Sequence, residues 1–131
     1  MAYVWTEDLA TGNTMIDTQH KQLIKMVNDL LEACKSGQER TKLTTTMQFL
    51  VDYTVKHFAD EEKLQQQSNY PDFANHKKLH EAFKVTVLDL NKQLKAEGAT
   101  NALVAKLNTS IGGWLVTHIQ REDKKVAAHI K

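Results

Sequence analysis

The sequence predicts an all-α protein: an up-down-up-down four-helix bundle preceded by a non-helical N-terminal arm. Three observations predict it. Apolar residues recur at helical spacing in four long segments. Only five Gly and one Pro occur in 131 residues, so long helices meet few of their weakest formers. The breaks between the segments are short, which forces antiparallel neighbours.

The arm covers residues 1–16, where Val4, Trp5 and Met15 are expected to pack on the bundle. The first helix is expected over about 17–35, with Ile16, His20, Leu23, Ile24, Val27, Leu30, Leu31 and Cys34 on one stripe. The second is expected over about 41–66, with Leu43, Met47, Leu50, His57, Phe58, Glu61 and Leu64. The third is expected over about 72–97, with Phe73, His76, His80, Phe83, Val87, Leu90 and Leu94. The fourth is expected over about 101–128, with Leu103, Leu107, Ile111, Trp114, Leu115 and His118. Residues 36–40, 67–71 and 98–100 read as turns. The chain is read as one domain over 1–131.

Bulk composition narrows the function. A 41% hydrophobic, 25% charged chain with net charge +1 gives no electrostatic case for nucleic acid or an anionic membrane. One cysteine, Cys34, excludes CxxC zinc sites and CxxCH haem attachment, and reads as a small core residue. The first residues lack the basic and apolar runs of a secretory signal, and no stretch suits membrane insertion. The expected state is a cytoplasmic monomer.

Each inner stripe contains residues foreign to a plain core: His20, His57, Glu61, His76, His80, His118 and an acid at 122 or 123. Burying a carboxylate without a partner costs several kcal/mol or more, so two inward carboxylates beside five inward histidines call for cations. His57 and Glu61 are i,i+4, as are His76 and His80, so each pair lies on one helix face. His57 lies about as far before the turn near Ser68–Asn69 as His80 lies after it, and Glu61 and His76 mirror each other likewise. Up-down-up-down order brings the start of the first helix and the end of the fourth to that same level. All seven residues converge there.

The fourth helix has a phase problem. A regular helix pairs His118 with Glu122, yet continuing that stripe gives Lys125 and His129. A slip of one residue gives Asp123, Val126, Ala127 and Ile130, which suit burial. A π-bulge produces such a slip, and bulges of this kind occur at functional sites. The sequence therefore predicts a π-bulge between His118 and Asp123, with Asp123 inside.

Five imidazoles and two carboxylates are too many donors for one ion and suit two. Mixed nitrogen and oxygen ligation with no thiolate favours iron over manganese, zinc or copper. If both carboxylates and one hydroxide or oxide bridge, one metal takes three histidines and is six-coordinate. The other takes two and keeps an open position for a small molecule.

The pattern His20 … His57-x3-Glu61 … His76-x3-His80 … His118-x4-Asp123 resembles the complete ligand signature of the hemerythrin family, in family order. Trp5, Gly12, Ile16-Asp17-x-Gln19-His20-Lys21 and Tyr70-Pro71 resemble its bacterial single-domain members. The resemblance covers essentially the whole chain. It implies two iron ions bridged by Glu61, Asp123 and an oxo or hydroxo group. It assigns His76, His80 and His118 to the saturated iron and His20 and His57 to the open one, where dioxygen binds. The implied function is reversible dioxygen binding for oxygen storage, transport or delivery, without catalysis.

Leu23, Ile24, Phe83, Trp114, Leu115 and Ile119 lie within about a turn of these residues and are expected to form a dry oxygen pocket. Rival readings are oxygen, redox or nitric oxide sensing or scavenging, and a di-iron oxidase or peroxidase. Ferritin-like di-iron sites use Glu-x-x-His on two helices, and no Glu here has a His three residues later. Gly112-Gly113 costs about 2 kcal/mol of helix propensity, which suggests close approach of another backbone or a gas path. Tyr53 is expected to pack in the core, and His129 to be an ordinary surface histidine.

Overall fold

The computed structural model describes residues 3–130. A short 3-10 turn at Glu7–Leu9 interrupts the arm. Three long helices follow: α1 (Thr14–Lys35), α2 (Arg40–Gln67) and α3 (Phe73–Glu97). The fourth rod is composite. It runs as α4 (Asn101–Leu107), a π segment (Asn108–Gly113), α5 (Trp114–His118), a second π segment (Ile119–Asp123) and α6 (Lys124–Ile130). There is no strand among the described residues. Among the described residues no helix is long and apolar enough to cross a membrane.

Helix α1 starts three residues earlier than expected, and its local chemistry explains why. Asn13 is the N-cap, its side chain accepting from the Ile16 N–H at 3.0 Å. Asp17 lies in the first turn and reaches back to the arm. It accepts from the Thr11 N–H (2.9 Å), the Thr11 hydroxyl (2.7 Å) and the Gly12 N–H (3.3 Å). Gly12 adopts φ 87°, which lets the chain turn into the helix.

The arm docks through residues other than two of those expected. Val4 is 71% exposed, and Met15, inside α1, is 37% exposed. The anchors are Leu9, which is buried, and Tyr3 and Trp5, which pack against the core. The Lys21 ammonium sits 4.4 Å over the Trp5 ring.

Two π segments, not one, shape the fourth rod. Its buried stripe is Leu103, Leu107, Ile111, Leu115, Ile119, Asp123 and Ala127, one residue in every four. Over the 24 steps from Leu103 to Ala127 a regular α-helix makes about 6.7 turns, and the stripe would wind off the core. Each π segment absorbs one extra residue, leaving about 6.1 turns, so the stripe stays on one face.

Gly112 lies in the first π segment, and a side chain rather than a backbone crosses it. A Cβ there would collide with the Tyr3 ring at Cε2. The ring is pinned: its hydroxyl donates to the Asn108 carbonyl (2.9 Å), and the Tyr3 backbone pairs with the Asn28 amide in both directions (2.8 and 2.7 Å). Gly112→Ala should therefore displace Tyr3 and cost about 1–3 kcal/mol in chemical denaturation. With Tyr3→Ala also present the glycine substitution should cost nothing, or regain the ~1 kcal/mol of helix propensity. Additive effects of the two substitutions would contradict this packing.

The turn between α2 and α3 closes the end that carries the histidines. Asn69 takes a left-handed conformation, and the Tyr70 N–H returns to the Gln65 carbonyl at 2.9 Å. His129 Nε2 lies 2.8 Å from the Ser68 carbonyl, so this surface histidine ties α6 to the turn. Cys34 is buried and Tyr53 packs against the core, both as expected.

Candidate metal centre

Four rods deliver seven side chains to one level near that turn. Helix α1 supplies His20, α2 supplies His57 and Glu61, α3 supplies His76 and His80, and α5 supplies His118. Asp123 ends the second π segment, which turns it inward; it is 1% exposed, whereas Glu122 is only half-buried. All seven are buried. They form two overlapping groups: Glu61, His76, His80, His118 and Asp123 in one, and His20, His57, Glu61 and Asp123 in the other. Within each group, one donor atom per residue lies within 4.8 Å of the rest.

The carboxylates divide between the groups oxygen by oxygen. Glu61 Oε1 lies 2.8 Å from His76 Nε2 and 3.4 Å from His80 Nε2, whereas Oε2 lies 3.5 Å from His57 Nε2. Asp123 Oδ1 lies 3.1 Å from His118 Nε2 and 3.2 Å from His76 Nε2, whereas Oδ2 lies 2.8 Å from His20 Nε2. Each carboxylate thus turns one oxygen toward two of His76, His80 and His118, and the other toward His20, His57 or both.

The hydrogen bonds behind the rings set their tautomers. His57 Nδ1 is 2.7 Å from Gln19 Oε1, an oxygen that only accepts, so His57 carries its proton on Nδ1. The Gln19 amide is oriented by donating from Nε2 to Asp60 at 2.9 Å, and Asp60 also pairs with Lys56 at 2.8 Å. His80 Nδ1 donates to Glu62 at 2.9 Å. His57 therefore points an Nε2 lone pair at Glu61, and His80 turns its Nε2 toward the same carboxylate. Outer partners of this kind orient metal-ligating histidines.

Without a cation this arrangement is frustrated. Four of the nine buried side-chain atoms without a hydrogen-bond partner, among the described residues, are ones that an ion here would take up: His20 Nε2, Glu61 Oε2 and both Asp123 oxygens. His20 Nε2 is close to Asp123 but not aligned as a hydrogen bond. His118 Nε2 is 3.2 Å from both His76 Nε2 and His80 Nε2. Adjacent donors around an ion ~2.1–2.2 Å away stand at about this spacing.

Electrostatics agree. Burial pushes His57 down to about 4, so it stays neutral near pH 7 with its lone pair facing a carboxylate. His76 behaves oppositely. Burial opposes its charge, but Asp123 and Glu61 outweigh that and raise it to about 9. Burial also works against ionised Asp123, yet its histidine neighbours, His118 foremost, hold it well below the usual carboxylate range. Glu61 is lowered too: His76 and His80 overcome burial and the nearby Asp123. Near pH 7 both carboxylates are thus anionic and His76 is cationic. The donor set, the lone-pair directions and the orphaned atoms fit a pair of metal ions.

Aromatic rings cover the outer faces of two histidines. Phe58 stacks on His80 (3.8 Å between centroids, 2° between planes), and Trp114 stacks on His118 (4.4 Å, 11°) and on Phe83 (3.9 Å, 11°). A small internal cavity adjoins the site, lined by Leu23, Val27, Leu50, Thr54, Phe58, Phe83, Ile111 and Leu115. Three of the six residues expected to form a pocket line it: Leu23, Phe83 and Leu115. Ile24 and Ile119 are buried elsewhere in the core, and half-buried Trp114 forms part of a surface groove instead. The i+4 arithmetic that placed all six near the ligands does not distinguish residues facing the cavity from those facing a neighbouring helix.

Gln19, Asp60, Glu62 and Phe58 are the residues that ligand spacing alone missed as contributors to this site. Gln19 and Glu62 each adjoin a ligand in sequence, as Phe58 does. Only the helix-to-helix register shows that Gln19 meets His57 across α1 and α2 while Glu62 meets His80 across α2 and α3.

Comparison with known proteins places this geometry. Residues 11–130 match the family model described as the hemerythrin HHE cation binding domain. The chain is 34% identical over 128 residues to a bacteriohemerythrin of Stenotrophomonas maltophilia, covering 98% of this chain and 81% of that protein. It is 34% identical to a myohemerythrin of Sipunculus nudus, covering 94% of this chain and 89% of the relative. A wild-type hemerythrin crystal structure superposes with a TM-score of 0.86 at 31% identity, covering 99% of this chain and 98% of that one. The chain belongs to the hemerythrin family.

Proposed function

We propose that this chain binds dioxygen reversibly at a pair of iron ions, for oxygen storage, transport or delivery, in the cytoplasm. The observation that carries this reading is the division of the two carboxylates. Each offers one oxygen to His76, His80 and His118 or a subset of them, and the other to His20 or His57. Glu61 and Asp123 would bridge, with an oxo or hydroxo group between the same ions. When bound, the ferrous pair supplies the two electrons that dioxygen binding requires.

The protein's own contribution is to hold, shield and stay inert. Gln19 and Glu62 keep His57 and His80 in the ligating tautomer. Phe58 and Trp114 keep water from the faces of His80 and His118. Among the residues lining the cavity, Thr54 alone carries a side-chain hydroxyl, and that hydroxyl is bound to the Leu50 carbonyl at 2.7 Å. The lining therefore offers no free proton donor, which favours release of dioxygen over its reduction.

Elemental analysis and oxygen uptake test the reading together. The expected result is two irons per chain, one for each ligand group. Dioxygen should be taken up once per iron pair and returned when the oxygen pressure falls. Sustained oxygen consumption in the presence of a reductant would identify an oxidase instead.

A further inference from the structure

The two ligand groups are built unequally, and the inequality extends beyond the residues that would touch metal. Both share Glu61 and Asp123, so those carboxylates favour neither position. One position has three imidazoles and the other two. Behind the three-histidine group stands an anion: Glu62, only 14% exposed, accepts from His80 Nδ1 at 2.9 Å. Behind the two-histidine group stands a neutral amide, Gln19, accepting from His57 Nδ1 at 2.7 Å. A carboxylate behind a ligating histidine makes the ring a stronger donor than an amide does. Both differences favour the same position.

Charge adds an order to the preference. The first divalent ion is balanced by the two shared carboxylates. The second then meets carboxylates already engaged and a cation a few ångströms away, so it binds against repulsion.

Resting on the metal-centre reading above, we propose that the two positions fill in sequence, the His76–His80–His118 position first and the His20–His57 position second. Glu62 strengthens the first step and Gln19 the second. Glu62 and Gln19 are positioning residues: each acts on metal through a histidine. The consequence is a stable singly loaded form, in which a different ion can be placed at the second position.

Zinc(II) titrated into the full, metal-free chain tests this without any oxygen chemistry. Isotope-labelled histidine lets each imidazole be followed by NMR. The first equivalent should move the His76, His80 and His118 signals, and the second those of His20 and His57, with affinities at least ~10-fold apart. Glu62→Gln should weaken the first step by ~10–100-fold and narrow the gap, while Gln19→Leu should weaken the second step alone by a similar factor. If a variant folds poorly without metal, graded chelation of the di-zinc wild-type protein gives the same order in reverse, with the ion beside His20 and His57 leaving first. All five signals moving together, His20 and His57 moving first, or both substitutions weakening both steps alike would overturn the proposal. Failure to bind zinc or iron at all would overturn the metal centre itself.

Discussion

Asp123→Asn is expected to strip the protein of metal, while Glu122→Gln, one residue away, leaves its content unchanged. Asp123 is the meeting point of the two ligand groups. Its Oδ1 faces His76 and His118 and its Oδ2 faces His20. An amide keeps the shape but loses the charge, and it aims an N–H at one group or the other. Both positions lose a donor, and both lose the anion that offsets an ion's charge. The expected loss of affinity exceeds the ~10–100-fold typical of removing an outer partner. Glu122 stands outside because the second π segment rotates Asp123 into its place. Iron content after identical purification reads the difference. Metal retained by the Asp123 variant and lost by the Glu122 variant would show that the helix is regular there.

Phe58→Ala should be among the most destabilising single substitutions in the core. The ring is 1% exposed and stacks on His80, with Phe83 at 5.9 Å and Trp114 at 6.2 Å between centroids. Truncation removes the packing and enlarges the cavity already beside it, costing about 3–5 kcal/mol. Phe58→Leu keeps most of the volume, and its cost should stay within ~1.5 kcal/mol. His80 also loses the face that holds its plane, so the alanine variant should release metal faster as well. Denaturant unfolding of the metal-loaded variants measures the first effect, and chelator-driven metal loss the second. A cost under about 1 kcal/mol for alanine would mean that the stack carries little of the site's rigidity.

Much of this architecture is legible in the sequence because its strongest signals are chemical anomalies. A buried Glu61 and five inward histidines have no apolar explanation, so helical spacing alone was enough to gather them. The inward turn of Asp123 was legible for a similar reason: Lys125 and His129 cannot continue a buried stripe, whereas Val126 and Ala127 can. The first π segment leaves no such signal, because Leu103, Leu107, Ile111 and Leu115 are all apolar. Four such residues at a spacing of four also fit a regular helix whose stripe drifts. Gly112-Gly113 signalled a close approach there, but nothing local identified Tyr3, more than a hundred residues away in the chain. Helix α1 starts at Thr14 rather than near Asp17 because Asn13 caps it, while the Asp17 carboxylate holds Thr11 and Gly12.

Pocket residues and outer partners were the least legible, for one physical reason. Helical spacing fixes which residues share a face, but not which neighbouring helix that face meets. Gln19, Asp60 and Glu62 become part of the site only through the register between α1, α2 and α3. Ile24 and Ile119 fall outside the cavity for the same reason.

On the proposed reading, Glu61 and Asp123 bridge two irons that take up dioxygen and give it back. The most direct measurement is the absorption spectrum of the purified protein, reduced without air and then exposed to it. The reduced protein should be nearly colourless, and air should bring up a visible charge-transfer band of a bridged ferric pair. That band should vanish when oxygen is removed and return over repeated cycles. A spectrum indifferent to oxygen, or a band that forms once and needs a chemical reductant to reverse, would mean that no iron pair here binds dioxygen reversibly.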